Sequence, residues 1–172
     1  MTKTPSSTYI IRFNDCDLLG HLNNSRYLDY FMNAREDHLR DFYQVDLTSY
    51  FNKGLGWVVG GHEIAYIKPA LYNEVVCIQS SLLYADSELL FLETIMMNKS
   101  QSHLKAIMRT KLIPISTQTG KKNQHTTDFL NWAKSIENEA INHEENLPTR
   151  LKHLLSSFKA KLNPLPNELP AD

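Results

Sequence analysis

Two carboxylates, an imidazole and two amides fall between positions 15 and 24: Asp15, Asp17, His21, Asn23 and Asn24. Tyr27 follows. A carboxylate in such a loop can attack a carbonyl carbon or take a proton from a water. The oxyanion that results needs hydrogen-bond donors aimed at it. The start of a helix supplies them, because its first N–H groups are unpaired and carry a partial positive charge. Asp17 is the residue placed for the first task and the Asn24 N–H for the second. In isolation an Asp is read as a turn residue; its place between a strand and a helix start leaves chemistry open. Asp15 is read as a structural partner of loop N–H groups, Arg12 or Arg26. His21 either orients substrate and polarises a carbonyl, or holds the loop through the backbone.

The elements that must position these groups are legible on both sides. Residues 9–13 are short, β-branched and aromatic, which predicts a strand. Beyond the loop, Tyr27, Leu28, Phe31, Ala34, Leu39 and Phe42 recur at helical spacing and predict a helix over 24–43. Asn23, Asn24 or Ser25 is placed to cap it. Strands follow at 57–68, 75–84, 88–97 and 104–115, separated by short turns. Such spacing favours antiparallel pairing over βαβ units. The expectation is an α+β fold, with about five antiparallel strands against one long helix. Gly60 and Gly61 inside a strand predict a bulge, or a close approach of another group to the backbone. His62 and Glu63 do not form a zinc-protease motif, because the second His is missing and the pair sits in a strand.

The spacing D-x-D-x-x-G-H-x-N-N-x-x-Y, from Asp15 to Tyr27, resembles the hotdog-fold acyl-CoA thioesterases of the 4-hydroxybenzoyl-CoA thioesterase type. Seven spaced positions agree, and the resemblance covers roughly residues 9–120. It implies a hotdog fold, an antiparallel sheet wrapped around a long central helix, and hydrolysis of an acyl-CoA to a free acid and CoA. It implies Asp17 as the catalytic carboxylate, with oxyanion donors at the start of the helix and the site at a dimer interface. His21 and Asn24 join Asp17 as catalytic candidates. Asn23, Tyr27, Phe31, Val59, Gly60 and Gly61 are the substrate-binding candidates, the two glycines letting a pantetheine arm lie along the backbone. Some relatives carry an Asn two residues after the catalytic Asp; here that residue is Leu19. A homodimer or a dimer of dimers is expected. No cofactor and no metal is called for.

A chain of 172 residues is long enough for one domain with a real core. Its net charge of -1 gives no bulk attraction for nucleic acid. Two cysteines without C-x-x-C or metal spacing suit a reducing compartment. Without a signal core or a span-length apolar run, the expectation is a cytoplasmic protein with no membrane span. The organisation expected is a loose tail at 1–8, the hotdog domain at 9–120, a helical extension at 121–163 and a Pro-rich tail at 164–172. In the extension, helices are predicted over 128–141 and from Pro148 onward. The second, with Leu151, Leu154, Leu155, Phe158 and Leu162 on one stripe and lysines off it, is read as covering a sheet edge or packing between subunits. Arg109 and Lys111 are candidate contacts for the CoA phosphates. Two other functions fit the residues. One is a hotdog protein that binds acyl thioesters without hydrolysis; the other is a magnesium-dependent D-x-D phosphatase with Asp15 as nucleophile.

Overall fold

The structure, a computed structural model, describes residues 1–162. The Pro-rich tail expected at 164–172, and the positions expected for the Lys161 and Leu162 side chains, lie outside the described residues. Five strands form one antiparallel sheet: β1 (Ser6–Ile10), β2 (Leu55–Tyr66), β3 (Val75–Ala85), β4 (Leu90–Asn98) and β5 (Leu104–Ser116). Their spatial order is β1-β3-β4-β5-β2, so β1 and β2 are the edges. Among the described residues four α-helices accompany them: α1 (Tyr27–Tyr43), α2 (Leu47–Asn52), α3 (Thr127–Ile136) and α4 (Leu147–Leu162).

The sheet is covered on both faces. On one face α1 sets Tyr27, Phe31 and Ala34 against Val76, Ile78, Met96 and Met108. The same layer continues through α3, where Phe129, Ala133 and Ile136 meet Leu82, Leu90 and Leu92. On the opposite face Leu147 and Phe158 of α4 pack with Cys77, Ile95, Met97, Leu104 and Ile107. Strands buried on both sides lose the in–out alternation of a half-exposed sheet. That is why β3 to β5 read as nearly continuous apolar runs. Of the extension after residue 120, α3 thus continues the α1 layer, and α4 covers the opposite face of the sheet instead of only an edge.

A buried ion network ties α4 down. Glu93 on β4 and Arg109 on β5 pair at 3.1 Å, both side chains 2 % exposed. Arg150 of α4 reaches the same carboxylate at 2.8 Å. Arg109 also donates to the Glu145 carbonyl. This corrects the expectation for Arg109: its guanidinium is inside the protein and committed to Glu93, so it does not meet a CoA phosphate. Lys111 is exposed.

Boundaries moved where local signals competed. β1 begins at Ser6, so Ser6, Ser7 and Thr8 pair with Gln79, Ile78 and Cys77 instead of forming a loose tail. The residues after it turn into a 3₁₀ segment at Phe13–Asp15. α3 stops at Ile136, earlier than its apolar pattern suggested. There Glu137 turns inward to accept the Ala85 N–H at 3.1 Å, and the Asn138 N–H donates to the Leu82 carbonyl at 2.8 Å.

Candidate active site

The Asp15–Tyr27 segment closes into a tight loop between the 3₁₀ segment and α1. The Gly20 N–H donates to the Asp17 carbonyl at 3.0 Å, and Gly20 takes φ +73°. Glycine adopts that left-handed conformation without steric cost. One oxygen of Asp17, Oδ1, accepts the Leu19 N–H at 2.9 Å and the His21 N–H at 3.0 Å. The Asp17 N–H donates to the His21 carbonyl at 2.8 Å. These bonds fix the carboxylate on its loop. Among the described residues Oδ2 has no hydrogen-bond partner. Asp17 as a whole is exposed.

Asp15 faces the other way. Its Oδ2 accepts the Tyr30 hydroxyl at 2.9 Å, and Arg26 lies 3.8 Å from its Oδ1. It is the structural partner the sequence suggested, with Arg26 rather than Arg12.

The entry to α1 differs from the simple cap expected. The helix begins at Tyr27, and Arg26 at its N-cap makes no side-chain cap bond. Asn23 instead organises the turn before it. Its Oδ1 accepts the Ser25 N–H at 3.1 Å and the Ser25 hydroxyl at 2.9 Å, and its carbonyl accepts the Arg26 N–H at 2.8 Å. Ser25 and Arg26 are thereby satisfied. The Asn24 N–H has no partner among the described residues. The Asn24 carbonyl accepts the Tyr66 hydroxyl at 3.0 Å.

Asp17, His21, Asn24 and Tyr27 border one shallow cavity of about 300 Å³, with Tyr66 and Lys68 on its far wall. The fold thus brings all three catalytic candidates to the tip of α1. Tyr27 is nearly buried and its hydroxyl accepts the Ala70 N–H at 3.0 Å. Burial raises its hydroxyl above the usual phenol range, so it stays protonated. Tyr66 and Lys68 arrive from the end of β2 and the residues just after it. No sequence spacing links them to the loop, and neither was a site candidate.

The other substrate-binding candidates are dispersed. Phe31 is fully buried in the core and borders neither this cavity nor the larger one described next. Val59 borders an apolar cavity of about 550 Å³ between α1, α2, β2 and α3. Gly60 and Gly61 form the predicted bulge, where the register with β5 shifts. A Cβ on Gly60 would stand 2.9 Å from Ile113 Cγ1, so packing within the sheet already requires glycine there. A Cβ on Gly61 would meet nothing within 4 Å. His62 is half-buried and shares a 2.9 Å hydrogen bond with Thr110, while Glu63 points outward; neither borders the site.

The chain belongs to the thioesterase-like superfamily, whose family model matches residues 11–169. No curated protein matches it significantly. Solved structures share its fold at low identity. A probable thioesterase from Bartonella henselae is 20 % identical with a TM-score of 0.64, covering 72 % of this chain and 99 % of its own. The DHNA-CoA thioesterase of Staphylococcus aureus is 17 % identical with a TM-score of 0.69, covering 90 % and 94 %. A hypothetical protein from Staphylococcus aureus, solved in complex with CoA, is 13 % identical with a TM-score of 0.70, covering 79 % and 85 %. No helix among the described residues is long and apolar enough to cross a membrane.

Proposed function

We propose that the protein is an acyl-CoA thioesterase of the hotdog type, close in mechanism to the 4-hydroxybenzoyl-CoA thioesterases, with the sheet wrapping α1 as its central helix. The observation that carries this reading is the shared cavity of Asp17 and the unpaired Asn24 N–H at the tip of α1. The thioester carbonyl accepts that N–H, and the positive end of the helix favours the developing oxyanion. Asp17 acts through Oδ2, since Oδ1 is held by the loop. It either attacks the carbonyl carbon, expelling CoA thiolate and leaving an acyl-aspartate for water to open, or removes a proton from an attacking water. Both routes yield the free acid and CoA. His21 borders the same cavity and orients the thioester.

The exposure of Asp17 suits a site completed by a second copy. The edge strand β2 is 12 residues long, with Val58, Val59 and Tyr66 exposed along it. A long free edge of this kind is a template for pairing. The two copies pair there, and the pantetheine arm runs past Gly60 and Gly61. Lys68, exposed at the rim of the cavity, is a better phosphate contact than the buried Arg109.

The test is a panel of short, long and aromatic acyl-CoAs read by free thiol. Turnover of any of them above background supports hydrolysis. Thermal stabilisation by acyl-CoA with no thiol released would favour a non-hydrolytic binder.

A further inference from the structure

The apolar cavity beside α1 is bordered by a guanidinium that the hydrolytic site does not use. Arg35 borders it together with Met32, Leu39, Leu55, Trp57 and Phe129. Its Nε is fully buried and donates to nothing among the described residues. No ion pair or hydrogen bond involves its guanidinium there, although the neighbouring Arg26 and Arg40 each pair with carboxylates. Glu36 also borders the cavity, but it is exposed and forms no ion pair with Arg35. Burial pushes the Arg35 pKa down to about 10, with the nearby Tyr43 hydroxyl opposing. Arg35 as a whole is half-buried, and at neutral pH its guanidinium remains charged with its buried Nε facing no anion among the described residues.

The position of Arg35 relative to the hydrolytic site suggests which anion it takes. Leu28, Met32, Arg35 and Leu39 stand at i, i+4, i+7 and i+11 on α1, one continuous stripe. The stripe starts one residue past Tyr27, which borders the Asp17 cavity. From Leu28 to Arg35 is about 10 Å along the helix axis. We propose that Arg35 receives a carboxylate at the far end of the acyl group, so that the preferred substrates are CoA thioesters of acids carrying a second, distal carboxylate. The acyl chain runs from the Asp17 cavity along α1 toward Met32, which borders the apolar cavity with Leu55, Trp57 and Val59 of β2. A guanidinium forks onto a carboxylate with two parallel N–H bonds, a geometry no other side chain reproduces.

This inference rests on the thioesterase reading for the identity of the ligand, and its test separates the two. Matched pairs of CoA esters with an ω-carboxylate or an ω-methyl end are compared at equal chain length. Thiol release is measured on the thioesters, and binding on the non-hydrolysable thioethers. The wild type is expected to favour the ω-carboxylate about tenfold to a hundredfold, the range of a charge-assisted hydrogen bond. Arg35→Met removes that preference while keeping turnover of the ω-methyl ester, and Arg35→Lys keeps part of it. The free Arg35→Met protein is expected to melt no lower than wild type, because a buried Nε without a partner is gone. An Arg35-dependent preference in thioether binding without any thiol release would sustain this inference and overturn hydrolysis. Thiol release with no carboxylate preference, or with a preference unchanged in Arg35→Met, would overturn this inference alone. Loss of the oligomer in Arg35→Met with an unchanged preference would overturn it too, assigning the guanidinium to a contact between copies.

Discussion

Asp17 has two oxygens with different work. Oδ1 holds the loop by accepting two N–H groups, and Oδ2 accepts none among the described residues, which leaves it for the chemistry proposed above. The two can be separated by substitution. Asp17→Ala removes both and is expected to destabilise the loop by about 1 kcal/mol for each bond lost, read as a lowered thermal midpoint. Asparagine keeps the acceptor oxygen and so keeps the loop. His38 is a second residue whose environment sets its behaviour. It is fully buried on α1, its Nδ1 2.8 Å from the Ser80 hydroxyl and its Nε2 unpaired. Burial, then the charge of Arg35, push its pKa down to about 4, against the pull of Asp37 and Asp41. The unfolded chain takes up a proton here below about 6.5, and the folded protein does so only near 4. The contribution to stability is therefore full above pH 6.5 and is lost as pH falls across that window, by roughly 3 kcal/mol in total. Chemical denaturation at pH 7, 5.5 and 4 is expected to show the loss, and His38→Gln to flatten it.

The elements were legible where pattern and burial agreed. The apolar spacing of Tyr27, Phe31 and Ala34 predicted α1, and all three are in the core. The four later strands were placed within about two residues, because turns at Asn73, Asp86 and Asn98 interrupt them. What was missed depended on tertiary partners. Ser6–Thr8 carry no apolar signal, yet they pair along β3 because that edge has unpaired backbone groups. Arg109 read as a candidate phosphate contact, but Glu93 meets it beneath α4, and Glu74 likewise pairs with the nearly buried Lys105. Nothing in the spacing of these residues announces that pairing. Arg35 left a faint trace, since it falls on the α1 stripe between Met32 and Leu39. At the α4 contact, Glu93→Gln leaves Arg109 and Arg150 without their shared carboxylate. Removing one partner of a buried pair costs about 3–5 kcal/mol. The expected result is a lower thermal midpoint and faster proteolysis between α3 and α4; an unchanged midpoint would mean the network contributes little.

At the scale of the whole molecule, two helical layers enclose the sheet and leave the β2 edge free. The Asp17 cavity opens at one end of α1, and the larger apolar cavity lies alongside its middle. This separation fits an enzyme that performs chemistry at a helix tip and selects the acyl group along the helix side. It also predicts assembly. Sedimentation at micromolar concentration is expected to give about twice the chain mass of 19.8 kDa, or four times if dimers pair again. A monomer that retained full activity would remove the role given to the β2 edge.

The charge on Asp17 decides the whole account. On the best acyl-CoA of the panel, Asp17→Asn is expected to release thiol at least a hundredfold more slowly than wild type, with its thermal midpoint within a few degrees. Thiol release at the wild-type rate by a folded Asp17→Asn protein would contradict the mechanism.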